Sequence, residues 1–139
     1  MLQTIQEIVF TREHSPRRGG GMLEPFFARR RAAQALQLIP ASHRNGRVLD
    51  IGCGSYPYFL SHTSLVEKFV ADPVEGQRAP EEIRWQRINL NSEPKLPFKR
   101  DGFDVITLLG VVRRLDRNNL AALFQECRRV LRPGGMLVL

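Results

Sequence analysis

One acidic residue sits between an apolar run and a pair of glycines in Arg47-Val48-Leu49-Asp50-Ile51-Gly52-Cys53-Gly54. This is a buried strand with a carboxylate at its end, then a turn without bulk. Glycine permits the turn and lets the main chain come close to a ligand, so the segment points to a nucleotide-like molecule laid against backbone. Turn-capping is the competing reading of Asp50. Cys53 reads as a small filler, because no histidine stands near it to activate a thiol. His14, His43 and His62 are scattered and form no metal-ligand spacing, so no metal site is expected.

The remaining elements must position that turn. A helix is expected from Glu24 or Pro25 to Leu38, with Phe26, Phe27, Ala33, Leu36 and Ile39 as its apolar stripe and Pro40 at its end. Strands follow at Arg47 to Ile51, Lys68 to Asp72, Trp85 to Asn89 and Phe103 to Leu109. The fourth of these is nearly continuous in apolar residues, as in a parallel strand covered on both faces. A short helix near Pro57 lies between the first two strands. A longer one runs from about Arg117 to Leu131, with Asp116 as N-cap and Arg128, Arg129 and Arg132 toward its negative dipole end. Pro133-Gly134-Gly135 stops it, and Met136 to Leu139 begins a fifth strand. The alternation predicts a doubly wound, mostly parallel α/β sheet with its ligand beyond the C-terminal strand ends. Trp85 and Phe98 read as core residues. Tyr56 and Tyr58 fit either a ligand wall or packing beneath the sheet.

A length of 139 residues sets a ceiling of one domain. The net charge of +7 is uneven: eight arginines face three glutamates up to Arg47. Such a region attracts phosphate, nucleic acid or an anionic membrane surface, or is a solvated face. Residues 1–23, with Ser15-Pro16-Arg17-Arg18-Gly19-Gly20-Gly21, read as a flexible basic tail ahead of a domain at 24–139. Cys53 and Cys127 make no disulfide framework, which fits a reducing, cytoplasmic compartment. No apolar run approaches the roughly 20 residues that span a bilayer.

From about Gly46 to Leu139 the chain resembles the class I S-adenosylmethionine-dependent methyltransferases, in particular the type 11 group. The resemblance rests on five features in order: Val48 to Gly54, Asp72 after the second strand, Leu96-Pro97-Phe98, Phe103-Asp104-Val105-Ile106, and Cys127 through Gly135. It implies a Rossmann-like fold and S-adenosyl-L-methionine as cofactor. Gly52, Cys53 and Gly54 would pass beside the methionine part, and Asp50 would hold its ammonium group. Asp72 would accept hydrogen bonds from both ribose hydroxyls, as a carboxylate can. Asn89 and Leu90 would read adenine, Asn89 by side chain and Leu90 by backbone amide. Leu109 and Gly110 would line the floor near the methyl group. Asp72 as a turn residue before Pro73, and Asn89 as a turn asparagine, are the competing readings. The acceptor implied is a small molecule, lipid or sugar-like compound, and no catalytic base can be named.

The chain departs from the family pattern at several points. Tyr56 stands where many members have a third glycine, Asn89 where an aspartate is common, and Arg113-Arg114 where a Glu-His pair is frequent. The family's sheet has seven strands, whereas this chain ends in the fifth. The expectation is therefore a fragment or truncated product whose fifth strand is an exposed apolar edge prone to self-association. A nicotinamide-dependent dehydrogenase is disfavoured, because its third glycine would fall on Pro57. The other alternative is a non-catalytic scaffold with a degenerate methyltransferase fold that contacts nucleic acid through its basic N-terminal region. No aromatic-and-basic platform supports it.

Overall fold

The computed structural model describes residues 7–9, 24–54, 56–74, 79–92 and 95–139. Six parallel strands form one sheet: β1 (Glu7–Val9), β2 (Arg47–Ile51), β3 (Glu67–Asp72), β4 (Ile83–Arg87), β5 (Phe103–Thr107) and β6 (Leu131–Val138). Their order across the sheet is β1-β6-β5-β2-β3-β4. From central β2 the chain winds outward through β3 and β4, then returns to β5 and β6 on the other side. The point where the winding reverses therefore lies between β2 and β5, and parallel sheets of this kind open a crevice there, beyond the strands' C-terminal ends.

Helices cover the two faces. Along β2, Val48 faces one side while Leu49 and Ile51 face the other. Leu49, Ile51, Phe69 and Leu137 pack with Leu123, Cys127 and Val130 of α4 (Arg117–Val130). Val48, Val70, Val105 and Met136 pack with Ala32, Ala35 and Ile39 from the segment of α1 (Glu24–Leu38) and with Phe59 and Leu60 of the short α3 (Tyr58–Ser61). The buried stripe of α1 is thus Ala32, Ala35, Leu36 and Ile39. Ala33 and Phe26 are exposed, contrary to the expected stripe. The helix is rotated so that small alanines meet the sheet, which lets it lie close. A four-residue α2 (Ala41–Arg44), not expected from the sequence, leads into β2. There His43 bridges by its ring nitrogens to the Ser42 hydroxyl at 3.0 Å and the Gly134 carbonyl at 2.9 Å.

Asp116 caps α4 as expected, its carboxylate accepting from the Asn119 amide at 2.9 Å. The helix gives way at Leu131, before Pro133, and β6 begins earlier than expected. Proline and two glycines lie inside β6, where the step Phe103 to Val105 runs alongside Leu131 to Met136. The register irregularity absorbs the extra residues.

The expected tail needs correction at one place. Glu7–Val9 forms a strand, and its register with β6 pairs Glu7 with Met136, Ile8 with Leu137 and Val9 with Val138. The strand expected to be an exposed edge is therefore flanked on both sides, by β5 and by β1. Its apolar residues Met136, Leu137 and Val138 are buried. The unpaired backbone groups of such a strand need a partner, and the chain's own early segment supplies it. The Ser15 to Gly21 stretch lies outside the described residues.

The N-terminal end of the sheet is held by charged side chains. Asp104 accepts the Arg47 amide at 2.7 Å and forms an ion pair with Arg132. Arg129 makes two hydrogen bonds to the Glu126 carboxylate, at 2.8 and 2.7 Å, and donates to the carbonyls of Phe98 and Leu96, both at 2.8 Å. Glu126 in turn accepts the Leu96 amide at 2.7 Å. The Arg129 guanidinium holds the Glu126 carboxyl below its usual range. Phe98, pinned this way, packs edge-on against Phe103 and Phe69, with centroids 4.9 and 6.3 Å away. Trp85 is also a packing residue, partly buried, with its indole N–H donating to the Val74 carbonyl at 3.0 Å.

Candidate functional site

At the C-terminal end of the central strands, Asp50 is 3% exposed. Its Oδ1 accepts from the Thr107 hydroxyl at 2.7 Å, across the register pair that joins β2 to β5. Burial pushes its pKa up to about 7, the Thr107 hydrogen bond opposes this, and the Asp72 charge adds to it. A carboxyl so placed titrates near neutrality and would take a cationic partner readily.

Asp50 lines a cavity of about 200 Å³ together with Gly52, Cys53, Leu109 and Gly110. These residues follow β2 and β5, so the cavity lies where the winding of the sheet reverses. Gly52 holds a φ of +75°, and a Cβ there would stand 2.5 Å from the Val111 Cβ. Only glycine lets the turn and the segment after β5 approach so closely. Gly54 also has a positive φ, +77°, but a Cβ there would meet open space. Its backbone is thus bared toward any ligand laid over the turn. Burial, with Asp50 and Asp72 adding to it, raises the Cys53 thiol far above its ordinary pKa; burial likewise pushes Cys127 up to about 12. Neither thiol is poised as a nucleophile.

Asp72 is equally buried, at 3% exposed, but its setting differs. One oxygen accepts the Gly54 amide and the other the Val74 amide, both at 2.8 Å. The acid after the second strand thus ties the glycine turn to its own loop. The expectation had this carboxylate accepting hydrogen bonds from both hydroxyls of a ribose. Beside it, the Gly52 amide bonds the Ala71 carbonyl at 3.0 Å and the Ile88 amide bonds the Asp72 carbonyl at 3.1 Å. The ends of β2, β3 and β4 are stitched into one ledge.

Asn89 and Leu90 follow β4. Asn89 is exposed and its Oδ1 accepts the Asn91 amide at 3.1 Å, the turn arrangement that was its alternative reading. It lines a second cavity of about 390 Å³ with Gln86, Ser92 and Leu96. The Leu90 side chain is buried. The structure therefore brings Asp50, Gly52, Cys53 and Leu109 to one cavity, Asn89 to another, and places Asp72 in the ledge. Sequence reasoning missed Thr107 and Val111. Arg114, singled out from the sequence as a departure from the family pattern, lines the first cavity together with Arg31. Thr107 had a signal: a hydroxyl inside an otherwise apolar strand end needs a buried partner.

No described helix is long and apolar enough to cross a membrane. No group of three or more His, Cys, Asp or Glu among the described residues could hold a metal ion.

The sheet order and the placement of the glycine turn define a Rossmann-like α/β domain of the methyltransferase kind. Residues 49–139 match the type 11 family model described as a methyltransferase domain, and the chain belongs to that family. No curated protein matches it in sequence. Among solved structures, the PH0226 protein of Pyrococcus horikoshii OT3 is similar at 20% identity and a TM-score of 0.62, over 82% of this chain and 57% of that one. The YcgJ protein of Bacillus subtilis is similar at 20% identity and a TM-score of 0.63, over 79% of this chain and 50% of that one. The 1,6-didemethyltoxoflavin-N1-methyltransferase of Burkholderia thailandensis, solved with 1,6-didemethyltoxoflavin and S-adenosylhomocysteine, is similar at 21% identity and a TM-score of 0.60, over 80% of this chain and 50% of that one. These likenesses establish the fold. The chain spans half or slightly more of the length of those structures.

Proposed function

We propose that this domain binds S-adenosyl-L-methionine across the ends of β2, β3 and β4 and serves transfer of its methyl group to a small-molecule, lipid or sugar-like acceptor. The observation that carries the reading is Asp50: a buried carboxylate with one hydroxyl partner, facing a cavity bounded by a bulk-free glycine turn. In this reading Asp50 receives the methionine ammonium, and the Gly52-Cys53-Gly54 backbone lies along the methionine chain. Leu109 and Gly110 bound the methyl end. Asp72 fixes the turn with two of its four lone-pair positions and keeps two for the ribose hydroxyls. Asn89 and Leu90 border the adenine.

Bound there, the cofactor would supply a methyl group already activated by its sulfonium, so that no further group is needed to make it electrophilic. The protein's task is alignment, and orientation alone can supply several kcal/mol of the barrier. Asp50 adds charge at the far end of the cofactor and stays out of the reacting line. We place the protein in the reducing cytoplasm, since both described cysteines are unpaired thiols.

Isothermal titration with S-adenosylhomocysteine and with NAD tests this. Saturable binding of the first alone, weakened in Asp50→Asn, is the expected result. Failure to bind S-adenosylhomocysteine would overturn the proposal, and salt-sensitive RNA or DNA binding in its place would favour the scaffold alternative.

A further inference from the structure

The two central strands carry a polar pair at the end of an apolar face. On that face β2 presents Val48 and then Asp50, and β5 presents Val105 and then Thr107. The register sets Val48 against Val105 and Asp50 against Thr107. All four are buried, Thr107 completely. Valine has nearly the shape of threonine and carries no polar atom to satisfy. A hydroxyl at this position therefore calls for a partner, and it has one: Thr107 donates to the Asp50 Oδ1 at 2.7 Å.

The direction of that bond matters. A donor aimed at a carboxylate favours the ionised form over the neutral acid. It also occupies one oxygen, so Oδ2 is the one left for the cavity that Asp50 lines. The other titratable groups around the carboxyl do not replace this bond. Asp72, at the end of β3, repels the ionised form. The Cys53 thiol is kept protonated by burial. Arg31 of α1, Arg114 after β5, and Tyr56 and Tyr58 beyond the glycine turn line the same cavity. The Thr107 hydrogen bond is nevertheless the influence that opposes the cost of burying Asp50.

We propose that Thr107 is a positioning residue for the cofactor: its hydroxyl keeps the Asp50 carboxylate ionised and turns Oδ2 toward the ammonium group of the methionine part. The inference rests on the proposed capture of that ammonium by Asp50 and assigns a second residue to the same task. Thr107 acts through Asp50 and stays away from the reacting atoms.

The test is titration of S-adenosylhomocysteine into the whole chain from pH 6 to pH 8.5, in wild type, Thr107→Val and Thr107→Ser. Removing the hydroxyl should move the midpoint of the affinity profile upward by about one pH unit. At pH 7 Thr107→Val should then bind about fivefold more weakly than wild type. The deficit should shrink to less than about twofold at pH 8.5, where the carboxyl is largely ionised in both. Thr107→Ser keeps the donor and should restore the wild-type profile. Thr107→Ala lacks it and should repeat the valine profile, so a folding defect in either variant leaves the other to decide. A deficit of equal size at every pH would reduce Thr107 to packing and overturn the proposal. A valine profile that matches wild type, or a serine profile that matches valine, would overturn it as well. If the wild-type chain bound no S-adenosylhomocysteine at any pH, the cofactor reading itself would fall, and this inference with it.

Discussion

The two ends of the sheet handle charge in opposite ways. At the N-terminal end, Asp104, Glu126, Arg129 and Arg132 are matched acid to base, and their spare donors and acceptors go to the backbone. At the C-terminal end, Asp50 is deeply buried with one hydroxyl for company, and Arg114 stands without an acid among the described residues. Completed pairs at one end hold strands, a helix and a loop together. Incomplete ones at the other leave binding energy available to a ligand. Asp72 belongs in part to the first group although it stands at the second end, because each of its oxygens already holds one backbone amide.

The contrast can be tested by mutation. The largest effect should come from Gly52→Ala, which combines a positive φ with a Cβ 2.5 Å from Val111. We expect a loss of about 3 kcal/mol in urea unfolding, together with loss of S-adenosylhomocysteine binding. An alanine variant that binds normally would mean the close approach does not shape the site.

Next is the pH response of Asp50. Its folded pKa of about 7 lies well above the 3.8 of an ordinary aspartate. The stability it contributes is therefore full below the lower value and is lost as pH rises through the higher one. Asp50→Asn should gain on wild type across that window by about 2–4 kcal/mol in unfolding free energy. In wild type, S-adenosylhomocysteine affinity should rise from pH 6 to pH 8, about tenfold at most. In the asparagine variant it should stay flat. A wild-type profile equally flat would remove Asp50 from the ammonium site.

Arg129→Met should cost about 2 kcal/mol, because Glu126 and two loop carbonyls lose a donor at a partly exposed place. Cofactor affinity of the folded protein should not change. If it fell, the two ends would not be independent. The smallest effect is expected for Gly54→Ala, about 1 kcal/mol from backbone strain alone, since no neighbour is struck.

Most of the sheet was legible because β2, β3 and β5 carry short apolar runs and α4 has a clear stripe and cap. The phase of α1 was not, since Ala32, Ala33 and Ala35 offer little contrast and packing chose among them. Glu7–Val9 could not be read as a strand because three residues carry no periodicity, and their pairing is supplied from the far side of the chain. The glycine turn and Asp50 were visible from type and spacing. The convergence of Arg31 and Arg114 was not, because tertiary structure alone brings them together. Two of the motifs that signalled the family, at Phe103-Asp104 and Arg129 to Gly135, serve cohesion at the N-terminal end and line neither described cavity.

The pairing of β1 with β6 carries a consequence for how the molecule is made. Residues 7–9 can find residues 136–138 only after everything between them has been synthesised. Contacts so distant along the chain close late and carry a large loop-closure cost. During translation the early segment must wait, and β6 docks on β5 with its outer edge briefly bare. Zipping that edge joins the two strands of the described sheet most distant along the chain, so amide exchange at residues 7–9 should report that closure more directly than any signal from the central strands.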